Sequence, residues 1–437
     1  MPSSPNLPFS GNASPESSSV ANQALILSYY FPPMNGPGTQ HPLAFHRYLP
    51  HYGIETHVLT SAYYGDENVD SALDRIANTS YIPSHGPERL WRALYLAETK
   101  IQYRFGLYEH GILPWLPLAY RYACRWIREH GCTAIVSTSP PISNHLLAHR
   151  LKKTFPALRW VADLQDPLVG NPFRKSTGRI GEWDGKAEHN IFSTADAISA
   201  NTDTVRALWA EKYPAWAHKF FVVWNGYDPG EGVGPLPLPT RARPVLAHVG
   251  ALYGGRLPGP LFESVYRLSR DGRIKASDFL LDFTGPANFE ALTDQRSIRT
   301  LIEEGWVRAN NQYVSRIEAL RITSEADMLL LLDLTYPHNT KLQAPSKIYD
   351  YIRVGRPILA FTPENSPTER ILRRSGIPTE IISSTATPEQ VDQGLLRFLT
   401  LPREPQPASP WFLDIFDARH LAGRVAKMIR GESFPDF

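Results

Sequence analysis

A lysine and an aspartate three residues apart suggest phosphate and sugar chemistry. Lys347 and Asp350 lie in a stretch, 343–357, where Pro345 is placed like a first-turn residue and Gly355 like a helix C-cap. A lysine in the first helical turn can meet phosphates drawn by the helix dipole, and a neighbouring carboxylate can accept hydrogen bonds from a ribose diol. An intrahelical ion pair between the two side chains is the alternative explanation of this spacing.

A glycine-rich loop with an arginine indicates a second contact with phosphate. The apolar run Pro244–Val249 is followed by Gly250, Gly254, Gly255 and Arg256, and a helix is predicted to begin shortly after them. Such a strand-to-helix loop exposes backbone N–H groups that can cradle a diphosphate, and an arginine adds a bidentate cation. We favour this interpretation over a connecting loop with a solvated arginine.

Gly36 and Gly38 form a similar loop nearer the start of the chain. They follow the run Ala24–Tyr29 and precede a helix predicted over 42–49. Glycines there would let the backbone approach a ligand closely, but His41 stands where the dinucleotide-binding fingerprint has its third glycine. A plain tight loop accounts for these residues as well as a phosphate site does.

Two further loops carry side chains suited to acid–base chemistry or to sugar hydroxyls. Asp163 and Asp166 stand at the end of the apolar run 158–164. Carboxylates there can act as a base or accept hydroxyl hydrogen bonds, and an Asx-turn or a helix cap explains them equally well. His145 follows the run 133–138; a histidine titrates near neutrality, but a lone one is more often structural.

The elements that must position these loops are apolar, β-rich runs, each followed by a loop and a helix-like stretch. Several are nearly continuous in Val, Ile and Leu, which predicts strands buried on both faces. Strands that alternate with helices form parallel sheets, whose ligands lie outside the carboxyl ends of the strands. The predicted strands are Ala24–Tyr29, Ile54–Thr60, Thr133–Thr138, Leu158–Leu164, Ala195–Ala200 and Phe220–Trp224, then Pro244–Val249, Asp278–Thr284, Asp327–Leu334, Arg356–Phe361 and Thr379–Ser383.

The length of 437 residues suggests two or three domains, and a Gly- and Pro-rich stretch separates two α/β halves. The Ser-, Pro- and Asn-rich start lacks the basic and apolar segments of a signal peptide and predicts a mobile tail. The predicted divisions are a tail at 1–22, an N-terminal Rossmann-like domain at 23–232, a linker at 233–243, a C-terminal Rossmann-like domain at 244–408 and a C-terminal helical segment at 409–437.

Composition excludes several classes of protein. The net charge is +2, which does not suggest a dedicated binder of nucleic acids. Two cysteines exclude a disulfide scaffold and a four-thiolate zinc site, and they suit a reducing compartment. No apolar run approaches the length of about 18 residues that a membrane span needs. We therefore expect a cytoplasmic protein.

Taken in order, these loops resemble those of glycosyltransferase family 4, a broad group that builds bacterial polysaccharides and glycoconjugates. The resemblance runs from about residue 23 to about residue 430, and the ordered set of motifs is specific although no single motif is decisive. The matching segments are Leu27–Pro33 with Gly36, Leu43–Thr60, Ser137–Pro141, Val161–Pro167, Asn225–Asp228, Val249–Arg256, Thr284–Pro286, Ala326–Asp327 and Pro345–Ile358.

The resemblance implies a GT-B fold, in which two Rossmann-like, doubly wound domains face an interdomain cleft. It implies a nucleotide sugar on the C-terminal domain, an acceptor on the N-terminal domain, a last helix that crosses back, retention of the anomeric configuration, and neither a metal nor a cofactor. The catalytic residues it implies are Arg256, Lys347, Asp166 and His145. The residues it places at the nucleotide sugar are Gly36, Gly38, Gly250, Gly254, Gly255, Arg256, Ser346, Lys347 and Asp350, and those on the acceptor side are Asp163 and His145.

Three features depart from the family pattern. Leu342 stands where many members carry the first of two glutamates, and Asp350 replaces the second. Leu261 stands where many carry a lysine after the loop arginine, and the acceptor loop reads Gly-Pro-Gly at 36–38 in place of adjacent glycines. Our hypothesis is that Lys347 supplies the missing second cation for the diphosphate.

These observations predict a nucleotide-sugar-dependent hexosyl- or N-acetylhexosaminyltransferase. The expected donor is a UDP or GDP sugar, and the expected acceptor is a glycan, a lipid-linked molecule or a small molecule. Two alternatives stay open: a nucleotide-sugar epimerase or hydrolase on the same fold, and an inactive sugar-nucleotide-binding relative, which the leucine at position 342 suggests.

A basic and aromatic stripe raises a further expectation about membranes. Arg121, Arg125 and Arg128 fall on one predicted helical face near Trp115 and Trp126. Such a stripe can lie on anionic headgroups, which predicts weak peripheral contact with the inner face of the cell membrane. A solvated helix face is the alternative, and it is the commoner one.

Overall fold

Two parallel sheets organise the part of the chain that the computed structural model describes. That part comprises residues 22–34, 37–62, 76–83, 93, 96, 97, 100, 115–171, 177–252, 258–286, 296–333 and 341–435. One sheet has seven strands and the other six, and each is the centre of a Rossmann-like unit. The predicted doubly wound α/β architecture is therefore confirmed. Residues 1–21 of the predicted tail lie outside the described part.

The first sheet has the strand order β3-β2-β1-β4-β5-β6-β7, so the chain reverses direction across the sheet between β1 and β4. All of its described pairings are parallel. Its strands are β1 Asn22–Leu27, β2 Ile54–Ala62, β3 Thr79–Pro83, β4 Ala134–Ser139, β5 Arg159–Leu164, β6 Ala197–Ala200 and β7 Phe220–Val222. The helices on its faces are α1 Pro37–Tyr48, α2 Trp115–His130, α3 Ser143–Thr154, α4 Gly178–Thr194 and α5 Asp203–Lys212.

The second sheet repeats this order as β10-β9-β8-β11-β12-β13, again with parallel pairings. Its strands are β8 Val245–Val249, β9 Leu280–Thr284, β10 Val307–Asn310, β11 Met328–Leu332, β12 Ile358–Thr362 and β13 Thr379–Ser383. The remaining helices are α6 Gly259–Arg270, α7 Arg296–Glu303, α8 Arg316–Glu325, α9 Lys347–Val354, α10 Pro367–Arg374, α11 Pro388–Leu399, α12 Pro410–Ile415 and α13 Ala418–Arg430.

Continuous apolar runs explain the central strands. Every residue of β11 and of β12 is buried, because helices cover both faces of a doubly wound sheet. All eleven predicted strands are present, with ends that differ by a few residues. The strands β3 and β10 were not predicted, because they lie at sheet edges, and their short, partly exposed sequences carry no apolar run.

The last helix, α13, packs against the N-terminal sheet unit. Its residues Ala418 and Ala422 lie against Tyr48 at the end of α1, and the Arg159 side chain donates a 2.6 Å hydrogen bond to the carbonyl of Met428. Gly423 allows a close approach, since a Cβ there would lie 2.7 Å from the hydroxyl of Tyr52. The C-terminal segment, which follows the second sheet unit in sequence, thus packs against the first sheet unit.

No helix within the described ranges has both the length and the apolar character needed to cross a membrane.

Candidate active site

A cavity of about 800 Å³ lies between the two sheet units, at the carboxyl ends of their strands. One wall comes from α1 and the loop after β5, and the other from the loops after β8 and β9, one face of α8 and the first turn of α9. Ligands of doubly wound sheets bind where the strand order reverses, next to the first and fourth strands of each sheet. In the first sheet the cavity is lined by α1, which follows β1, and by the loops after β5 and β6; in the second sheet it is lined by the loops after β8 and β9.

Two glycines shape the C-terminal wall. Gly250 follows β8 with φ +124°, and a Cβ there would lie 2.8 Å from the amine of Lys347. Gly285 follows β9 with φ +127°, and a Cβ there would lie 2.7 Å from the carbonyl carbon of Gly250. Both positions need glycine for two reasons: the positive φ is unfavourable for other residues, and there is no room for a Cβ. Their close approach leaves the lysine amine over bare backbone.

Lys347 is the first residue of α9, and its amine contacts a buried histidine. The amine nitrogen lies 3.1 Å from Nε2 of His248, and Nδ1 of that ring lies 2.9 Å from the carbonyl oxygen of Leu330 in the adjacent strand β11. Helix α9 is held in place separately, since the hydroxyl of Tyr351 accepts a 3.0 Å hydrogen bond from the backbone of Val249. The lysine thus stands at the helix N-terminus with its amine at the end of β8.

Asp350 lies one turn further along α9, where Arg316 holds both of its oxygens. The guanidinium of Arg316 donates to Asp350 at 2.6 and 2.8 Å, and to Glu231, which follows β7, at 2.9 and 2.8 Å. Burial alone would lower the pKa of Arg316, but the two carboxylates raise it above its ordinary value. Each oxygen of Asp350 keeps a further lone pair, so a ribose hydroxyl can still bind there.

The N-terminal wall is built around a buried carboxylate, Asp163. It accepts hydrogen bonds from Ser199 at 2.6 Å and Thr138 at 2.8 Å, and Nδ1 of His41 lies 3.1 Å away. Burial alone would raise the pKa of Asp163, but His41 and the two hydroxyls together hold it below its ordinary value. His41 lines the cavity and Asp163 does not, so this carboxylate faces a ligand only through the imidazole.

A short segment of the C-terminal half crosses to the N-terminal wall. Leu342 packs into the apolar cluster of the first sheet unit, and its carbonyl accepts a 2.7 Å hydrogen bond from Thr202. The neighbouring Gln343 donates a hydrogen bond to Asp166, which lines the cavity. The leucine at position 342 thus serves as an apolar anchor between the two walls.

His145 lies in the protein interior, away from the cavity lining. Its Nδ1 lies 2.8 Å from the hydroxyl of Ser137, which also accepts a 2.8 Å hydrogen bond from the Trp160 indole. Complete burial lowers the pKa of His145 to about 4, so the ring is neutral near pH 7. The structure thus does not bring this histidine to the acceptor side, where the sequence analysis expected it.

The twelve predicted site residues divide into three groups. Five of the twelve line the cavity, namely Asp166, Gly250, Ser346, Lys347 and Asp350. Three lie nearby in the described part without lining it, namely Gly38, His145 and Asp163. Four lie outside the described residues, namely Gly36, Gly254, Gly255 and Arg256.

Sequence reasoning missed three side chains of the site, although each leaves a local signal. His248 is the one polar residue of strand β8, and Arg316 follows a serine that caps α8 by accepting from the backbone of Glu318. His41 appeared only as a replacement for a glycine. No group of three His, Cys, Asp or Glu side chains that could hold a metal occurs among the described residues.

The arginines of the predicted basic and aromatic stripe are exposed to solvent, whereas its tryptophans lie in the protein core. Arg121, Arg125 and Arg128 are exposed on α2, and Arg125 pairs with Glu129 at 2.8 Å. The two tryptophans of the stripe, at positions 115 and 126, are buried. Neither tryptophan is therefore placed to insert into a bilayer, and the exposed charges of the stripe are those of the arginines.

No protein-family model and no curated protein matches this chain. Solved structures do: Anabaena HepE in complex with UDP-glucose is 12% identical over 94% of this chain and 99% of that chain, with a TM-score of 0.59. WaaG, a glycosyltransferase involved in lipopolysaccharide biosynthesis, is 16% identical over 94% and 100%, with a TM-score of 0.55. The UDP-GlcNAc 2-epimerase of Methanocaldococcus jannaschii is 10% identical over 94% and 99%, with a TM-score of 0.54. These similarities establish the GT-B fold for this chain.

Proposed function

We propose that this protein transfers a sugar from a nucleoside-diphosphate donor to the hydroxyl group of an acceptor. The observation that carries the proposal is the wall formed by Gly250, Lys347 and Asp350. The ammonium of Lys347, at the start of a helix, faces a cavity beside bare glycine backbone, which suits a diphosphate. A carboxylate one turn away suits a ribose diol.

The opposite wall is suited to a sugar or another hydroxyl-bearing acceptor. It carries the amide side chains of Gln40, Gln165 and Asn201, together with Asp166 and His41. The side-chain oxygen of Asn201 is buried without a hydrogen-bond partner among the described residues. Amides and carboxylates recognise hydroxyl groups through hydrogen bonds, so this wall supports an acceptor on the N-terminal side. The acceptor itself is a glycan, a lipid-linked molecule or a small molecule.

We further propose that the reaction is a hexosyl or N-acetylhexosaminyl transfer that retains the anomeric configuration and needs no metal. The resemblance to glycosyltransferase family 4 supports these points, together with a UDP or GDP donor. Lys347, with Arg256 of the glycine-rich sequence that follows Val249, would neutralise the charge that develops on the leaving diphosphate. Such fixed cations act by electrostatic stabilisation of the transition state, so no proton has to be transferred to the leaving group.

An epimerase or hydrolase acting on nucleotide sugars is the second candidate, because a solved UDP-GlcNAc 2-epimerase shares the fold. The two candidates differ in their need for an acceptor. A transferase should leave a nucleotide sugar nearly intact when no acceptor is present, whereas an epimerase or hydrolase converts it at full rate. Chromatography of UDP and GDP sugars incubated with the protein alone therefore separates the two.

Thermal shifts with UDP, GDP, ADP, dTDP, CMP and NAD at matched concentrations test the proposal. A ligand that binds only the folded state stabilises it by about 2.7 kcal/mol at a hundredfold excess over its Kd. We expect a shift with one nucleoside diphosphate, and we expect Lys347→Ala to lose it. The matched control is Lys341→Ala, which removes the same charge from an exposed position outside the cavity lining. A shift with NAD alone, or no shift with any nucleotide, would contradict the proposal.

A further inference from the structure

His248 is a buried polar side chain in an otherwise apolar strand, and it touches the amine assigned to the diphosphate. The ring is 1% exposed and lies between strand β11 and helix α9. The other residues of β8 are Val, Leu, Ala and Val. A histidine in such a place needs partners for its ring nitrogens, and both nitrogens have one: the carbonyl of Leu330 and the amine of Lys347.

The two partners determine the protonation of the ring. A carbonyl oxygen can only accept a hydrogen bond, so the Nδ1 of His248 must carry the hydrogen that Leu330 receives. A lysine ammonium can only donate, so Nε2 must offer a lone pair to Lys347. The ring is therefore neutral and in the Nδ1–H tautomer. A protonated ring would place an N–H against the ammonium and would break the contact.

The contact fixes the lysine side chain and not the helix that carries it. Helix α9 is anchored by buried Ile348 and Ile352, and by the hydrogen bond from the backbone of Val249 to Tyr351. The lysine stem, by contrast, has four rotatable bonds and ends in a strongly hydrated ammonium. The contact with Nε2 of His248, at 3.1 Å, restricts these rotations at the end of the side chain.

We propose that His248 is a positioning residue, which holds the amine of Lys347 over Gly250 where the diphosphate of the donor binds. This inference rests on the proposed function, since it assigns that amine to the donor. Its physical basis is preorganisation: a cation already fixed beside the binding site loses less freedom when the ligand arrives. Histidine suits this task because its neutral ring accepts from the ammonium without neutralising the charge.

A double-mutant cycle tests the proposal in the full-length protein. The variants are His248→Leu, His248→Gln, Lys347→Ala, and Lys347→Ala combined with His248→Leu; the measured quantities are Tm and the Kd of UDP and of GDP by calorimetry. His248→Leu should weaken nucleotide binding by about fivefold to tenfold. His248→Gln should restore it to within about twofold, because the amide oxygen of glutamine also accepts from Lys347. In the Lys347→Ala background, His248→Leu should have no further effect on Kd.

Several results would overturn the inference. One is an unchanged Kd in His248→Leu, and another is an equal loss of affinity in both lysine backgrounds, which would point to a general structural effect. If His248→Leu does not fold, nitrogen NMR of the histidine-labelled protein remains decisive. It should show the neutral Nδ1–H tautomer near pH 7, and an Nε2–H tautomer or an imidazolium contradicts the inference. Absence of nucleotide binding in the unmodified protein would instead refute the proposed function.

Discussion

Replacing Arg316 with alanine should destabilise the C-terminal half of the protein. Arg316 donates four hydrogen bonds, two to Asp350 and two to Glu231. Its loss takes this cation away from two carboxylates whose side chains are only 10% and 18% exposed. A carboxylate with little exposure is poorly solvated, and the attraction to a nearby cation offsets this cost. Removing the cation leaves the cost of poor solvation without that offset.

The magnitude follows from the exposure of the arginine. Breaking a buried ion pair by removing one partner costs about 3–5 kcal/mol, whereas an exposed pair contributes about 0–1 kcal/mol. Because the side chain of Arg316 is 28% exposed, we expect an intermediate loss of about 2 kcal/mol. For a domain of this size, that loss corresponds to a drop in Tm of about 4–8 °C.

Thermal unfolding followed by calorimetry measures this loss, and the same helix supplies a matched control. Arg321 pairs with Glu318 and Glu325 on the solvent side of α8, where its side chain is 54% exposed. Arg321→Ala should therefore leave Tm close to that of the unmodified protein. Arg316→Lys should lie between the two, because lysine cannot offer the planar fork of donors. Equal melting temperatures for Arg316→Ala and Arg321→Ala would refute this reasoning.

Three further predictions concern the buried carboxylate, the glycine wall and the membrane. The pKa of Asp163 is held low in the folded state, so its charge stabilises the fold above the unfolded-state value of about 3.9, and this contribution is lost as the pH falls through the folded-state pKa. Urea titrations between about pH 7 and pH 3 should show Asp163→Asn to be less stable at neutral pH and less sensitive to acid, and parallel curves would contradict this. Gly250→Ala brings a Cβ to 2.8 Å from the amine of Lys347 at φ +124°, so calorimetry should show weaker nucleotide binding; an unchanged Kd would contradict this. Charge reversal at the three exposed arginines of α2 should abolish sedimentation with anionic liposomes, and unaffected sedimentation would exclude membrane contact through this face.

The central part of the fold could be predicted from sequence because its physical cause is local. A run such as Met328–Leu332 has no polar face, so it must lie inside a sheet that helices cover on both sides. The edge strand Val307–Asn310 has three exposed residues out of four and depends on its neighbour β9 for its existence. Nothing within its own sequence distinguishes it from a loop.

The site could be predicted only where chemistry and local spacing coincide. Lys347 and Asp350 share one helical turn, so sequence alone places them together. Their partners come from distant segments: Arg316 is 34 residues from Asp350, and His248 is 99 residues from Lys347. His145 shows the opposite error: it was expected in a loop at the site, but it lies in the first turn of α3 with its side chain in the interior. Tertiary packing decides all three cases.

The most direct test of the account is the affinity of UDP and GDP for three forms of the protein: unmodified, Lys347→Ala and Lys341→Ala. If the wall at the carboxyl end of β8 binds the donor, one nucleoside diphosphate will bind the unmodified protein and Lys341→Ala with equal affinity. The same nucleotide will bind Lys347→Ala at least about tenfold more weakly, with Tm nearly unchanged. Equal affinity in all three forms would contradict the assignment of this wall to the nucleotide sugar.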